Sequence, residues 1–171
     1  MATPAIVVTQ NERNIQVTPP NKDEMKALAE ACLNHMKVVM ATDTANEANK
    51  TSSDQATKFG RPTALAFAQH LVVAILVLNA TPRSQILRQL TVSIQAGNAA
   101  QQTLFREEDH YLIRISADGS KNRSPVLLRL NDLLTKPMDF YLERLRLALL
   151  QASPDTGVVF PASNGGQRSS F

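Results

Sequence analysis

The sequence predicts a mainly α-helical domain with a small antiparallel β-hairpin or sheet, which is an α+β fold. A chain of 171 residues is long enough for one domain with a sizeable core, and 43% apolar against 19% charged residues is typical of a globular protein. Apolar residues recur at helical spacing in several separate stretches of the chain. One region instead alternates on both sides of an Asp-Gly pair, which indicates two paired strands.

The first helix follows an N-terminal arm. Residues 1–20 end in a proline pair and are expected to be extended, and the domain itself is expected to span 21–163. Asn21 and Glu24 have the spacing of a capping box, so the helix is predicted to begin there. Its apolar stripe consists of Met25, Leu28, Ala29, Cys32, Met36, Val39 and Met40. Residues 41–60 are polar and lack periodicity, which favours a mobile loop or a family-specific insertion.

The second helix is predicted to be the buried centre of the domain. It opens at Pro62 or Thr63, runs to about Asn79 and is apolar on almost every side. A membrane span needs about 20 apolar residues. Because this run is shorter and is interrupted by Gln69 and His70, we expect a core helix and no membrane contact.

A Thr-Pro pair begins a short third helix, predicted from Arg83 to Leu90 with its apolar residues facing inward. A strand is expected over 90–95, and residues 96–109 are polar. The predicted hairpin pairs Tyr111–Ser116 with Pro125–Leu130 across the Asp-Gly turn.

The last helix is predicted over about 132–152, or from Pro137 with Thr135 as its cap. Its apolar stripe consists of Leu134, Met138, Tyr141, Leu142, Leu145 and Leu149. A short apolar run follows at Val158–Phe160, and residues 164–171 are expected to be a loose tail.

Common catalytic signatures are missing from the sequence. It has no glycine-rich phosphate loop, no His-Glu-x-x-His, no Gly-x-Ser-x-Gly and no paired cysteines. His35, His70 and His110 lack the spacing of metal ligands, and the lone Cys32 falls on a helix stripe where a buried thiol is expected. We therefore expect no metal site and no small-molecule cofactor.

Arg83 occupies an unusual place for a cation. It stands three, four and seven residues before Ile86, Leu87 and Leu90, so it projects from the apolar face of its predicted helix. It also lies in the first turn, where the helix dipole disfavours positive charge. A bound anion would pair the guanidinium and meet free backbone N–H groups. The alternative is a structural arginine paired with an internal carboxylate, and the residues alone leave both open.

Lys121 and Arg123 follow the predicted turn at the tip of the hairpin. A lysine at a hairpin tip can reach a ligand that is held elsewhere in the domain, which is one interpretation of Lys121. The alternative is an ordinary solvated turn residue, and both interpretations stay open.

The order of these elements resembles the catalytic domain of the tyrosine recombinase, or phage integrase, family. The resemblance covers roughly residues 62–163: an apolar helix, a short helix at Arg83, a strand, a hairpin reading Lys-Asn-Arg-Ser-Pro-Val-Leu, and a helix reading Phe-Tyr-Leu-Glu-Arg-Leu-Arg. In that family, the first catalytic arginine begins a short helix and the catalytic lysine lies on the following β-hairpin. The resemblance therefore implies that Arg83 and Lys121 are catalytic positions. It also implies that both residues, with Arg123, contact DNA during recombination or integration of a mobile element.

Two departures from the family pattern limit what the resemblance implies. The position three residues after Arg83, usually acidic in the family, is Ile86. The family also needs a His-x-x-Arg box, a further His or Trp and a nucleophilic tyrosine downstream, and nothing after Phe160 supplies them. Tyr111 and Tyr141 come too early in the chain. The resemblance thus implies an incomplete, truncated core, and strand cleavage by this chain alone is not expected.

Charge and resemblance together favour a nucleic-acid partner. Residues 1–80 hold seven basic and seven acidic side chains, whereas 81–171 hold eleven and eight, so the net charge of +3 lies in the second half. We expect weak, phosphate-directed DNA binding and leave open a homo-oligomer on DNA. The alternative is a non-enzymatic helical protein-interaction module. Because Met1–Gln10 has no basic region leading into an apolar run, we expect an intracellular protein, nuclear in a eukaryote and otherwise cytoplasmic.

Overall fold

The computed structural model describes residues 21–48, 59–79, 84–92, 102–117, 120, 123–150, 154–162 and 166. Within these ranges the chain combines helices with one four-stranded sheet, which confirms the α+β class. The elements are α1 (Lys22–Ala48), α2 (Arg61–Leu78), α3 (Ser84–Gln89), β1 (Thr91–Val92), β2 (Thr103–Glu107), β3 (His110–Ile115), β4 (Val126–Arg129), a 3-10 turn (Asp132–Leu134), α4 (Thr135–Phe140), a π-helical turn (Tyr141–Leu145) and α5 (Arg146–Leu150). The predicted arm, the Asp-Gly turn and all of the predicted tail except Gly166 lie outside the described residues.

The start of α1 confirms the capping box. The Asn21 backbone N–H donates to Glu24 Oε2 at 2.8 Å, and the Glu24 backbone N–H donates to Asn21 Oδ1 at 2.9 Å. Two exposed donors of the first turn are thereby satisfied by neighbouring side chains. Cys32 and Met36 of the predicted stripe are buried, but Leu28 is 45% exposed, so its place in the stripe was wrong.

α1 continues beyond its predicted end, and the mobile loop predicted over 41–60 is wrong for residues 41–48. The hydroxyls of Thr42 and Thr44 donate to the carbonyls four residues earlier in the helix, at 2.9 and 3.2 Å. Asp43 is buried, and its carboxylate lies 3.9 Å from the guanidinium of Arg144. Arg144 belongs to the final helical segment, residues 132–150, which comprises the 3-10 turn, α4, the π-helical turn and α5. Tertiary packing therefore extends a helix whose last turns lack an apolar pattern.

α2 lies at the centre of the core, as its sequence predicts, but only seven of its 18 residues are buried and the others are half-buried or exposed. Phe67, Leu71 and Ile75 have no exposed surface, and the helix packs against α1 on one side and the final helical segment on the other. Fully burying a side chain of this size contributes about 1.5–3 kcal/mol. By length and composition alone, this 18-residue helix is also apolar enough to cross a membrane. Within the described structure its inner face is the middle of the core.

The predicted antiparallel hairpin is present as the pair β3–β4, but the sheet to which it belongs is mixed and not antiparallel throughout. Its strand order is β1-β2-β3-β4, with β1 parallel to β2 and the other neighbours antiparallel. Parallel pairing requires the connection from Val92 to Thr103 to return the chain to the end of the sheet where β1 began. β2 itself was missed, because only Leu104 of its five residues is fully buried and the expected alternation is weak.

The final helical segment begins at the earlier of its two predicted starts. Asn131 is the cap: its side-chain oxygen accepts the Leu133 backbone N–H at 3.0 Å. Thr135, the cap of the other alternative, lies inside the segment, and its hydroxyl donates to the Asp109 carbonyl at 3.1 Å. The segment passes from a 3-10 turn through α4 and a π-helical turn to α5.

The apolar run at 158–160 closes the core against β1. The Val159 backbone N–H donates to the Leu90 carbonyl, and the Val92 backbone N–H donates to the Gly157 carbonyl, both at 2.8 Å. The buried Tyr141 hydroxyl donates to the Val159 carbonyl at 2.8 Å, and its ring stacks on Phe160 with centroids 5.4 Å apart. The C-terminal part of the described chain thus holds β1 and the final helical segment together.

Asn79 joins the end of α2 to the start of the final helical segment, and its replacement is expected to destabilise the protein. Its side-chain nitrogen donates to the Ile75 carbonyl at 2.8 Å, and its side-chain oxygen accepts the Asn131 backbone N–H at 2.7 Å. Asn79→Ala leaves both backbone groups without this partner, so we predict a loss of about 1–3 kcal/mol in the free energy of unfolding, measured by urea denaturation. The control Thr42→Ala, on the exposed side of α1, is expected to change it by about 0.5 kcal/mol or less. Equal effects of the two variants would refute this role of Asn79.

Candidate nucleic-acid interface

Of the three basic residues predicted to contact DNA, the structure describes Arg123. Arg83 and Lys121 lie outside the described residues. Arg123 is exposed, three residues before β4, and its backbone N–H donates to the Ser120 carbonyl at 3.1 Å. Its φ of 52° lies in the left-handed region, which costs a non-glycine residue roughly 1–2 kcal/mol. Backbone strain of this kind is concentrated at functional sites and in turns.

The strand register brings distant parts of the chain to one end of the sheet. Thr91, Thr103, Arg114 and Leu127 form a row across β1, β2, β3 and β4. β1 begins in this row, directly after α3 and Leu90, and the β3–β4 hairpin continues by one further pair of residues. We refer to this row as the hairpin end of the sheet. Because neighbouring strands lie about 4.8 Å apart, the row spans about 14 Å.

The β3–β4 region is the basic part of the domain. Residues 110–130 hold four arginines or lysines and one aspartate, so their formal net charge of +3 equals that of the whole chain. Arg114, in the row at the hairpin end, and Arg123 both have exposed side chains. A basic surface of this kind attracts polyanions at long range.

α3 has the inward-facing residues that its pattern predicts. Ile86 and Leu87 are buried, and Leu90, just after the helix, has no exposed surface. Ile86 stands where the tyrosine recombinase resemblance calls for an acidic residue. Because a carboxylate at this buried position would lose its hydration, an apolar side chain there fits the packing of this chain.

Both tyrosines of the chain are buried, and both hydroxyls are already engaged. Tyr141 bonds Val159 as described above, and the Tyr111 hydroxyl donates to Asp139 Oδ1 at 2.7 Å. Burial, and then the hydrogen bond to the Asp139 carboxylate, raise the pKa of Tyr111. Arg106 Nη1 donates to the same carboxylate oxygen at 3.0 Å. Neither phenol is placed to attack a phosphodiester.

A groove of about 740 Å³ lies between α1, the β2–β3 turn and the start of the final helical segment. The accessible surface of its lining is mainly apolar and includes Leu33 of α1 and Leu133, which is 61% exposed, although seven of its eleven lining residues are polar or charged. Lys37 and Lys136 lie at this groove from opposite elements, α1 and α4. An exposed apolar groove of this kind suits a protein or peptide partner.

Among the described residues, no group of three or more histidine, cysteine or acidic side chains has the arrangement of a metal site. His35 and His70 do come together, with stacked rings whose centroids are 4.1 Å apart. His70 Nδ1 is hydrogen bonded to the Ala66 carbonyl at 2.7 Å. Cys32 is buried as predicted, and burial raises the pKa of its thiol.

Arg146 is a buried cation that the sequence pattern did not predict. Its Nε donates to the Val158 carbonyl at 2.9 Å, and both terminal nitrogens donate to the carboxylate of Asp155, one of them at 2.7 Å. The Asp155 carboxylate also accepts the Gly157 backbone N–H at 2.8 Å. Such a bidentate pair fixes geometry, so the role of Arg146 is to hold the 154–162 segment against α5.

Compared with family models, curated proteins and solved structures, the chain matches none of them.

The Arg146–Asp155 pair predicts an acid-sensitive contribution to stability. The hydrogen bonds from Arg146, and then the one from Gly157, lower the pKa of Asp155. Because the folded-state pKa is depressed, the contribution is present above the unfolded-state pKa of about 3.9 and is lost as the pH falls through the folded-state value. Asp155→Asn should therefore lower the urea midpoint at neutral pH, and the difference from the unmodified protein should shrink near pH 3. Asp132→Asn, which removes an exposed carboxylate paired with Arg129, is the control and should change little. A difference for Asp155→Asn that is constant with pH would exclude the ion pair as its cause.

Proposed function

We propose that this chain is a DNA-binding form of the tyrosine recombinase catalytic core that lacks the cleavage chemistry. In this proposal Arg83, Lys121 and Arg123 contact the phosphodiester backbone. The function is DNA binding related to site-specific recombination or integration, without a metal or cofactor. The chain alone forms no covalent bond to DNA.

The observation that carries the proposal is the order of the elements around the hairpin end of the sheet. Arg83 immediately precedes α3 in the sequence, and α3 leads through Leu90 into the row at the hairpin end. Lys121 and Arg123 belong to the connection between β3 and β4, which leaves the sheet at the same end. Because α3 has only six residues, it is about 9 Å long, and the residue before it in the sequence lies a short distance along the chain from the hairpin end. The topology is therefore compatible with one phosphate-binding surface.

The proposed contact is electrostatic. Each lysine or arginine that neutralises a phosphate releases condensed counterions, which makes the affinity steeply dependent on salt. A guanidinium adds two parallel N–H donors that fit phosphate oxygens. Strand cleavage needs in addition an accessible nucleophile, and the buried hydroxyls of Tyr111 and Tyr141 are both bonded within the protein.

The groove beside α1 favours a second candidate, a non-enzymatic helical interaction module. The accessible surface of its lining is mainly apolar, it includes the exposed Leu133, and two lysines lie across it. An apolar groove with charged edges is typical of a surface that receives a protein segment. In this case Arg83 is a structural arginine and DNA is not the partner.

Arg83→Gln is expected to separate the two candidates. If Arg83 is a phosphate ligand, the neutral variant should keep the urea midpoint of the unmodified protein, because the helix dipole no longer opposes a cation. Its affinity for a labelled DNA duplex should fall about tenfold at ~50 mM monovalent salt, and the slope of log affinity against log salt should decrease by about one. Both quantities are measured side by side, by urea denaturation and fluorescence anisotropy.

Two further variants calibrate this measurement. Arg123→Gln should weaken binding in the same way, since it belongs to the same proposed surface. Lys26→Gln removes an exposed charge on α1 that lies 4.0 Å from Glu30, and should alter binding much less. A large fall in the urea midpoint of Arg83→Gln, with binding per folded molecule unchanged, would overturn the proposal and favour the interaction module. Loss of a paired, truly buried arginine of that kind costs about 3–5 kcal/mol.

A further inference from the structure

Arg114 lies on the face of the sheet that points away from the helices. Its cross-strand partner in β2 is Thr103, and its partner in β4 is Leu127. The neighbours before and after it in β3, Ile113 and Ile115, point to the opposite face and belong to the main core. Because side chains alternate along a strand, Arg114 is directed outward, and its side chain is exposed.

Among the described residues, the guanidinium of Arg114 contacts an aromatic ring and pairs with no acid. It lies over the ring of Phe105, 5.5 Å from the ring centroid. Phe105 pairs with Leu112, so it is the diagonal neighbour of Arg114 on the same face. Among the described residues, no carboxylate forms an ion pair with Arg114. Within the part of the chain that the structure describes, its positive charge is therefore oriented by the ring and is not paired with a carboxylate.

Other arginines of the sheet differ in this respect. Arg129, on the same outer face, pairs with Asp132 at 2.9 Å, and Arg106 pairs with Asp139 at 3.0 Å. Both lie toward the opposite end of the sheet from the hairpin end: Arg129 pairs with Leu112, and Arg106 with Tyr111. Their charges are committed to contacts within the protein.

We infer that Arg114 is a phosphate-binding residue of the DNA interface, a contact that the sequence did not predict. The inference rests on the proposed function and adds to its surface a residue on the outer face of the sheet. A guanidinium that stacks on a ring keeps its N–H groups free at the edge, where phosphate oxygens accept them. Since the ring already restricts the side chain, binding costs less conformational entropy than for a free arginine.

Arg114→Gln and Arg129→Gln form a matched pair for the test, because each removes one positive charge from the same face. Affinity for a labelled DNA duplex is measured by fluorescence anisotropy over a series of salt concentrations. We expect Arg114→Gln to weaken binding about tenfold at ~50 mM monovalent salt and to reduce the salt slope by about one. Arg129→Gln should cause a much smaller change in both. Arg114→Lys keeps the charge and should retain the slope of the unmodified protein.

The outcomes distinguish failure of the inference from failure of the proposed function. If Arg114→Gln behaves like Arg129→Gln while Arg83→Gln and Arg123→Gln still weaken binding, Arg114 is not a contact and the proposed function stands. If the unmodified protein shows no salt-dependent binding, the proposed function fails, and this inference fails with it. Urea midpoints of both sheet variants equal to that of the unmodified protein show that any loss of affinity is not caused by unfolding.

Discussion

Burial of α2 is the constraint on which the rest of the structure depends. Phe67, Leu71 and Ile75 have no exposed surface, and the side chains that cover them come from both ends of the chain. α1 packs on one side, and the final helical segment packs on the other through Tyr141, whose ring lies parallel to that of Phe67. Removing α1 or the final helical segment would expose a helix that is apolar on most of its surface. This accounts for the shared core of these elements within the described residues.

The sheet is attached to that core through a few long-range contacts. Leu104 and Ile113 face inward, while Leu90 and Val92 bond the 157–159 segment, which is in turn held by Tyr141 and Arg146. These contacts fix where β1 starts, and so they fix where α3 meets the sheet. The relation between α3 and the hairpin end, which carries the proposed DNA contact, is thus a consequence of core packing and not of local sequence.

Features with a local cause were predictable from the sequence. The capping box at Asn21 depends on two residues three positions apart, and the inward face of α3 depends on the spacing of Ile86 and Leu87. Features with a tertiary cause were not. The last turns of α1 depend on burial of Asp43 near Arg144, and their polar sequence resembles a loop.

In the sheet, too, features with a tertiary cause were not predictable from the sequence. β2 is half-exposed, and its turn into β3 uses Glu108 at a φ of 50° in place of the glycine or asparagine that signals a hairpin. For the candidate interface, the structure shows that Arg123 is exposed and lies before β4, and its contact with DNA stays a prediction. The sequence did not indicate Arg114 as a DNA contact, because its environment depends on the strand register and on the contact with Phe105. A single sequence predicts neither of these.

Backbone amide hydrogen exchange, with and without a DNA duplex at low salt, tests most directly whether the hairpin end of the sheet is the DNA interface. DNA binding at this end predicts slower exchange in α3, β1 and the β3–β4 region on addition of the duplex. The exposed first turns of α1, residues 22–30, should be unaffected. Protection confined to the groove between α1 and α4, or no protection anywhere, would contradict the proposal.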